Sequence, residues 1–214
     1  RAVLKERLPL SAPLVPNFRS DQLVLAYDAN ALLVWAACRY AVLTDSLAWA
    51  GLVLPRLEKA LAWYAPRETD GLVHQPPCSD WKDKVKARRG AVFYTQLTRW
   101  KALVSMGELY AALGRSSSAA EADSTARTLQ RRLQRAFWNA EGGFFNDSDG
   151  FPLLSCDSNL AACLWGFADH EQAIKVLGSD LPRNEQHAER DRQVIKRAFF
   201  SGVGGSQVNS KITG

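Results

Sequence analysis

The sequence predicts an all-α fold in which six helices form three consecutive antiparallel hairpins, arranged as an arc of an (α/α) toroid. Apolar residues recur at helical spacing in six stretches between residues 28 and 178. The connections alternate between short turns and two long loops, over 66–93 and 138–156, as expected for the hairpins of a toroid. The sequence has no regular repeat period, so a plain solenoid is not predicted. Three hairpins are too few to close a ring.

The first hairpin follows an extended entry segment over residues 1–25, which three prolines interrupt. Its first helix begins at Asp28, runs to Leu43 and is apolar almost all round. We therefore expect it to be buried on most sides and to lie in the inner layer. The second helix begins at Ser46. Pro55 is expected to kink or restart that helix, because proline lacks an amide hydrogen and clashes with the preceding turn.

The second hairpin follows the polar loop 66–93, whose length is typical of a functional segment. Its first helix spans Tyr94 to Leu113, with a glycine directly after it. Ser118 and Glu121 form the S-x-x-E pattern of a capping box, which predicts the start of the next helix.

The third hairpin follows a segment over 138–151 that is rich in glycine and aromatic residues. This composition predicts a small β-hairpin insertion. One helix is then expected over 158–168. Another begins after Asp169, which forms a capping pair with Gln172.

One domain, over residues 26–180, accounts for all of these helices. It is preceded by the entry segment and followed by a tail over 181–214, which is charged at first and then rich in glycine and serine. That composition is typical of a disordered segment. Hydrophobic residues make up 47% of the 214 residues, which is enough for a substantial core.

Composition argues against several classes of protein. No apolar run approaches the roughly 20 residues that span a bilayer, so no membrane association is expected. The net charge of +5 is mild and acidic residues interleave the basic run over 82–89, so nucleic acid is not an expected partner. The four cysteines include no C-x-x-C pair, and neither a metal nor another cofactor is expected. Nothing resembles a secretory leader, which favours the cytoplasm and leaves the compartment open.

Chemically reactive side chains are densest at Ser79-Asp80-Trp81-Lys82-Asp83 within the loop 66–93. Asp80 and Asp83 flank an indole. Hydrolysis of a glycosidic bond needs a carboxylic acid that protonates the leaving oxygen and a second carboxylate across the sugar. A neighbouring tryptophan offers an apolar face to a pyranose ring and raises the pKa of an adjacent acid by desolvation. The alternative is structural: an aspartate that caps a helix and a tryptophan that plugs the mouth of the barrel.

Four stretches of the chain resemble the six-hairpin glycosidases. The string GLVHQPPCSDWKDKVKARRGAVFYTQLTRWKALVSMGELYAALG is similar to their D-W-x-D, R-x-G and aromatic-rich stretch. YDANALLVWAACRYAVLTDSLAW resembles their D-A-x-L-W-F helix, and FWNAEGGFFND with CDSNLAACLWGFAD resembles later segments. The nearest relatives by these motifs are amylo-α-1,6-glucosidase and glycogen-debranching-like enzymes. The resemblance covers roughly residues 14–178 and implies part of an (α/α)6 barrel.

The resemblance implies two competing catalytic acids. Asp28 matches the general acid of invertase-like members, and Asp83 matches the acid proposed for debranching-like members. No acidic residue follows the R-x-G segment where some members carry a glutamate, so the catalytic base is not identified. We expect the substrate-binding residues to be Asp80, Trp81, Tyr94, Asp157 and Asn159.

These observations predict a glycoside hydrolase-like domain that acts on α-glucosides or related oligosaccharides by carboxylate acid–base hydrolysis. The alternative is a non-catalytic carbohydrate-binding or scaffold toroid without a base; a terpenoid-cyclase-like toroid is disfavoured because its acidic metal-binding runs are missing. We expect Asp28 and the Asp80–Asp83 pair to converge beside Trp81, with one pKa raised. An incomplete barrel should also expose apolar side chains and self-associate; the residues expected there are Leu32, Trp35 and Trp165.

Overall fold

The computed structural model describes residues 24–82, 85–86 and 88–178. Within these ranges the chain is mostly helical and carries two small antiparallel sheets. The helices are α1 (Ala29–Leu43), α2 (Leu47–Ala62), α3 (Phe93–Ala112), α4 (Ser116–Phe137), α5 (Cys156–Leu164) and α6 (His170–Gly178). The strands are β1 (Glu68–Thr69), β2 (Leu72–Gln75), β3 (Gly90–Ala91), β4 (Trp138–Asn139), β5 (Phe144–Ser148) and β6 (Phe151–Leu154). The predicted tail over 181–214 and residues 1–23 of the entry segment lie outside the described ranges.

Short turns join the helices into three pairs, which confirms the predicted hairpins. The α1–α2 turn places Asp45 in the left-handed region, with φ +52°. The α3–α4 turn uses Gly114, with φ +72°, where a glycine avoids the steric penalty of a side chain. In the α5–α6 connection the amide of Gln172 donates to Asp169 Oδ1 (2.8 Å), and Gln172 Oε1 accepts from the Asp169 amide (3.2 Å). This capping pair was predicted.

The loop predicted over 66–93 contains a three-stranded sheet, so the mostly helical fold carries one sheet more than the single β-hairpin predicted. Strands β1 and β2 pair through a tight turn at Asp70 and Gly71, whose φ angles are +53° and +71°. An Asp-Gly pair with two positive φ angles is the preferred sequence of a two-residue hairpin turn. The second sheet, β4–β5–β6, adds one strand to the hairpin predicted near residue 144.

The two sheets meet at one end of the helices. The Ala91 amide donates to Asp149 Oδ1, and the Asp149 amide donates to Ala91 O, each at 3.1 Å. Val92 also forms a bridge with Ser148. The two long connections therefore lie at the same end of the hairpins, as predicted.

Helix α3 lies between two apolar clusters. One cluster contains side chains of α3–α6 and β5, where the Phe93 ring stacks on Phe145 at 4.7 Å and meets Phe167 edge-on at 5.6 Å. The other lies between α1, α2 and α3 and includes Val34, Leu54 and Leu57. Because α3 contributes to both clusters, it fixes the position of the residues at its N-terminus, where the sheets meet.

Helix α1 is buried on only one side, so the prediction that it is buried on most sides is wrong. Ala31, Val34 and Cys38 are buried, whereas Leu33 and Tyr40 are exposed. The reason is that α1 packs chiefly against α2 and α3 within the described part of the chain.

None of the three residues predicted for an exposed apolar edge is fully exposed. Leu32 is only half-buried, and the half-buried rings of Trp35 and Trp165 contact each other at 5.3 Å. The exposed apolar side chains include Leu43 (68% exposed) and Leu52 (81%).

Three predicted helix boundaries differ from the structure. Helix α4 begins at Ser116, without a side-chain cap, because the chain re-enters a helix directly after the Gly114 turn; the capping box at Ser118 is wrong. Helix α2 continues through Pro55 without a break. Helix α5 ends at Leu164, two residues before Gly166 adopts a positive φ of +73°.

No helix of the described ranges combines the length and the apolarity needed to cross a membrane.

Candidate functional site

A buried arginine lies at the end of the molecule where the two sheets meet. Arg88 is 1% exposed and lies two residues before β3. Its Nη1 pairs with Asp157 Oδ2 at 3.1 Å, and its Nε lies 3.2 Å from both Asp80 Oδ2 and Asp147 Oδ1. Both Nε distances are those of ion pairs, but neither has the alignment of a hydrogen bond. The ion pairs of Arg88 therefore connect the loop before β3 with strand β5 and with helix α5.

Asp157, in the first turn of α5, accepts from four donors. Oδ1 accepts from Lys82 Nζ (2.6 Å) and from the Ser155 hydroxyl, and Oδ2 accepts from Trp81 Nε1 (2.9 Å) and Arg88 Nη1 (3.1 Å). Burial would raise the pKa of Asp157, but Arg88 and Lys82 outweigh it and lower the pKa to about 2. Asp157 is therefore a fixed anion that orients its neighbours.

The Asp80 carboxylate also has several hydrogen-bond and ion-pair partners. It is 3% exposed; Oδ2 accepts from Gln75 Nε2 at 3.1 Å and lies against Arg88, and Oδ1 accepts from the Lys82 amide at 2.9 Å. Gln75 is in turn held by the Thr95 hydroxyl at 2.5 Å. This chain of contacts ties the loop to β2 and α3.

Asp28 has a different environment. It occupies the N-cap position of α1 and is 3% exposed, and Oδ2 accepts from the Trp81 amide at 3.1 Å. Apart from that amide and its own, no donor among the described residues binds the carboxyl group. Burial, followed by the negative charge of Asp80, raises the pKa of Asp28 to about 6. Asp28 can thus hold a proton in mildly acidic solution, which an ordinary aspartate cannot.

Trp81 presents an exposed aromatic face beside these carboxylates. Its side chain is 55% exposed although Nε1 is anchored on Asp157. The half-buried Tyr94 ring lies 6.3 Å from it, and Lys82 Nζ lies 5.4 Å from its centre. Burial and the nearby Asp28 carboxylate raise the pKa of Tyr94 to about 12, so its hydroxyl keeps its proton.

Asn159 does not face this surface. Its side chain is fully buried, donates to Phe145 O (2.8 Å) and Ser155 O (2.9 Å), and accepts from the Phe145 amide (2.7 Å). Every polar group of the amide is thus used to hold β5 against α5. Asn159 therefore positions the segment that carries Asp157.

The structure brings together five of the candidate site residues, Asp28, Asp80, Trp81, Tyr94 and Asp157. Asp83 lies outside the described residues. Sequence reasoning missed Arg88, although the R-x-G motif contains it, because a motif does not show which carboxylates a guanidinium will meet. It also missed Asp147, whose pKa is raised by burial against the opposing effect of Arg88. Within the described ranges, no group of three or more His, Cys, Asp or Glu residues is arranged to hold a metal ion.

Comparison with known proteins gives a structural match. No protein-family model matches the sequence, and neither does any curated protein. Among solved structures, the chain is similar to the GH78 family rhamnosidase of Bacillus sp. GL1, with a TM-score of 0.65 and 20% sequence identity. The chain therefore shares the fold of the corresponding part of that rhamnosidase. The match covers 84% of this chain and 21% of the rhamnosidase, so the chain spans about a fifth of that enzyme's length.

Proposed function

We propose that the chain is part of the (α/α)6 barrel of a glycoside hydrolase that acts on α-glucosides or related oligosaccharides. The observation that carries this proposal is a buried carboxyl group, Asp28, whose pKa of about 6 keeps it protonated below neutrality beside the exposed ring of Trp81. A raised carboxyl pKa next to an aromatic surface is typical of a general acid in glycoside hydrolysis.

Asp28 is best suited among the described carboxylates to donate a proton. Asp80 and Asp157 accept from several donors each, and Arg88 stabilises their negative charge. Among the described residues, only backbone amides donate to the Asp28 carboxyl group, and no cation pairs with it, so its proton is not displaced in the same way. After transfer to the glycosidic oxygen, the Trp81 amide would stabilise the carboxylate that remains.

The second carboxylate of the reaction is not supplied by Asp80 or Asp157 in this proposal. A base or nucleophile needs an oxygen that is open to water or to the sugar. Both residues use their oxygens to hold Lys82, Arg88 and Trp81 in place. The partner of Asp28 is therefore sought outside the described residues. Asp83 stays a candidate for either role.

Two observations bear on the substrate class. The exposed face of Trp81 suits the apolar face of a pyranose ring, since stacking buries carbon-bound hydrogens of the sugar on the indole. The motifs resemble those of glucosidases and debranching enzymes, whereas the structural match is a rhamnosidase. Maltooligosaccharides and rhamnosides are therefore both candidate substrates.

A non-catalytic carbohydrate-binding toroid is the second candidate. The observation that favours it is the saturation of Asp80 and Asp157, which leaves Asp28 as the carboxylate without a cationic partner in the described site. Such a protein would keep the Trp81 platform and bind oligosaccharides without hydrolysing them.

The experiment compares wild type with Asp28→Asn and Asp83→Asn in the full-length protein. Hydrolysis of maltooligosaccharides and rhamnosides is assayed together with oligosaccharide binding by calorimetry. Loss of a general acid should lower the rate by about 10²–10⁴-fold while binding persists. Asp45→Asn is the matched control, because Asp45 is exposed in the α1–α2 turn and asparagine tolerates its positive φ. Near-normal turnover in both test variants would contradict the hydrolase mechanism, and binding without turnover in wild type would support the second candidate.

A further inference from the structure

A concave surface lies on the side of α4 that faces the β1–β2 turn. It is a groove of about 570 Å³, lined by Asp70, Leu72, Thr128, Arg131, Arg132, Arg135 and Ala136. This volume falls within the range of small-ligand sites, which is about 300–1,000 Å³. None of these residues belongs to the site around Arg88.

The groove is positively charged because of the helical spacing of its arginines. Thr128, Arg131 and Arg135 follow one another at intervals of three and four residues, which places them on one face of α4. Three arginines line the groove against one acidic residue, Asp70. Among the described residues, no carboxylate forms an ion pair with any of the three. Their charge is thus available to a ligand.

One of the arginines lies against the opposite wall of the groove. The guanidinium of Arg132 lies directly over Gly71, where a Cβ atom would collide with it. Gly71 adopts a φ of +71° in the β1–β2 turn, a backbone conformation that favours glycine. The Arg131 guanidinium donates to the Thr128 hydroxyl at 3.2 Å. These contacts orient planar donors that form two parallel hydrogen bonds with phosphate, sulfate or carboxylate oxygens.

We propose that this groove binds a small ligand that carries a phosphate or sulfate group. An oxyanion between Arg131, Arg132 and Arg135 would receive charge-assisted hydrogen bonds from at least two guanidinium groups. Leu72 and Ala136 supply apolar surface for the remainder of the ligand. The site is independent of the proposed hydrolysis, since it shares no residue with it.

The test is calorimetric titration of the complete chain with inorganic pyrophosphate and, separately, with inorganic sulfate. Replacing Arg131 and Arg135 together by glutamine should weaken pyrophosphate binding by at least about tenfold, because hydrogen bonds to charged groups contribute more than neutral ones. Arg127→Gln is the matched control. Arg127 is an exposed arginine of the same helix that does not line the groove, so its removal should change the Kd less than twofold, roughly the size of a diffuse surface-charge effect.

A further variant avoids deleting arginines if the double variant is unstable. Thr128→Glu places a negative charge inside the groove on an exposed helical position and should also abolish binding. Pyrophosphate binding that strengthens between pH 6 and pH 8, while sulfate binding does not, identifies phosphate as the preferred group, because only phosphate gains charge there. Equal weakening by Arg127→Gln and by the groove variants, or no binding of either anion at millimolar concentration, would overturn the proposal.

Discussion

Replacing Asp28 by asparagine should stabilise the folded protein in neutral solution while it removes the proposed acid. The pKa of Asp28 rises from 3.8 to about 6 on folding, so the folded state binds this proton more tightly than the unfolded state does. Stability therefore falls as the pH rises from the unfolded pKa to the folded pKa, because the buried carboxylate must ionise. Asparagine has a similar shape and never ionises.

The expected effect follows from the pKa difference. A shift of one pKa unit corresponds to about 1.4 kcal/mol, so a shift of about two units makes ionised Asp28 destabilising by roughly 3 kcal/mol at pH 8. At pH 4 most of this penalty is absent. The change in unfolding free energy caused by Asp28→Asn should therefore be about 2–3 kcal/mol more favourable at pH 8 than at pH 4. Comparing the two pH values cancels any contact that the asparagine itself gains or loses.

Urea denaturation of wild type and of Asp28→Asn, at several pH values from 4 to 8, measures this difference directly. Asp45→Asn, made at an exposed aspartate, should show a difference close to zero. If the effect of Asp28→Asn is the same at both ends of the pH range, Asp28 has an ordinary pKa. The reasoning that makes it the proton donor is then refuted.

Three further predictions concern the surroundings of the site. Trp81→Ala should weaken oligosaccharide binding by about tenfold, because it removes roughly 1.4 kcal/mol of stacking, and it should alter stability far less. Unchanged binding in calorimetry would show that Trp81 does not contact the sugar. Arg88→Met should cost about 3–5 kcal/mol in urea denaturation, because it strands buried carboxylates, and a loss below about 1 kcal/mol would show that the ion pairs contribute little. If the chain self-associates through exposed apolar side chains such as Leu52, sizing chromatography should show oligomers in wild type and smaller species in Leu52→Glu. A monodisperse wild-type monomer would contradict this.

Local sequence patterns were sufficient to predict the helical hairpins. Helical spacing located the six α-helices of the described ranges, and the Asp169–Gln172 pair is formed as its pattern indicates. The patterns failed where a stronger local feature was overlooked. The Asp-Gly turn at residue 70 creates a sheet inside a segment that had no strand-like alternation, and the Gly114 turn starts α4 before the S-x-x-E pattern. Apolarity alone also overestimated the burial of α1, because burial depends on which neighbours are present.

The candidate site was predicted in part, for a physical reason. The sequence places Asp80 next to Trp81, and the motifs indicate Asp28 and Asp157, but none of them shows how charge is distributed among the carboxylates. That distribution depends on Arg88, which pairs with Asp80 and Asp157 and not with Asp28. The difference between a fixed anion and a protonated acid is thus a property of three-dimensional contacts. For the same reason, the motif that contains Asn159 did not reveal that its side chain is fully buried.

The central claim is that Asp28 protonates the departing oxygen, and the dependence of the rate on the leaving group tests it most directly. Wild type and Asp28→Asn are compared on an oligosaccharide and on a nitrophenyl glycoside of the same sugar, whose leaving group departs without a proton. The account predicts a loss of about 10²–10⁴-fold on the oligosaccharide and a much smaller loss on the nitrophenyl glycoside. Equal losses on both substrates would contradict the assignment of Asp28 as the acid.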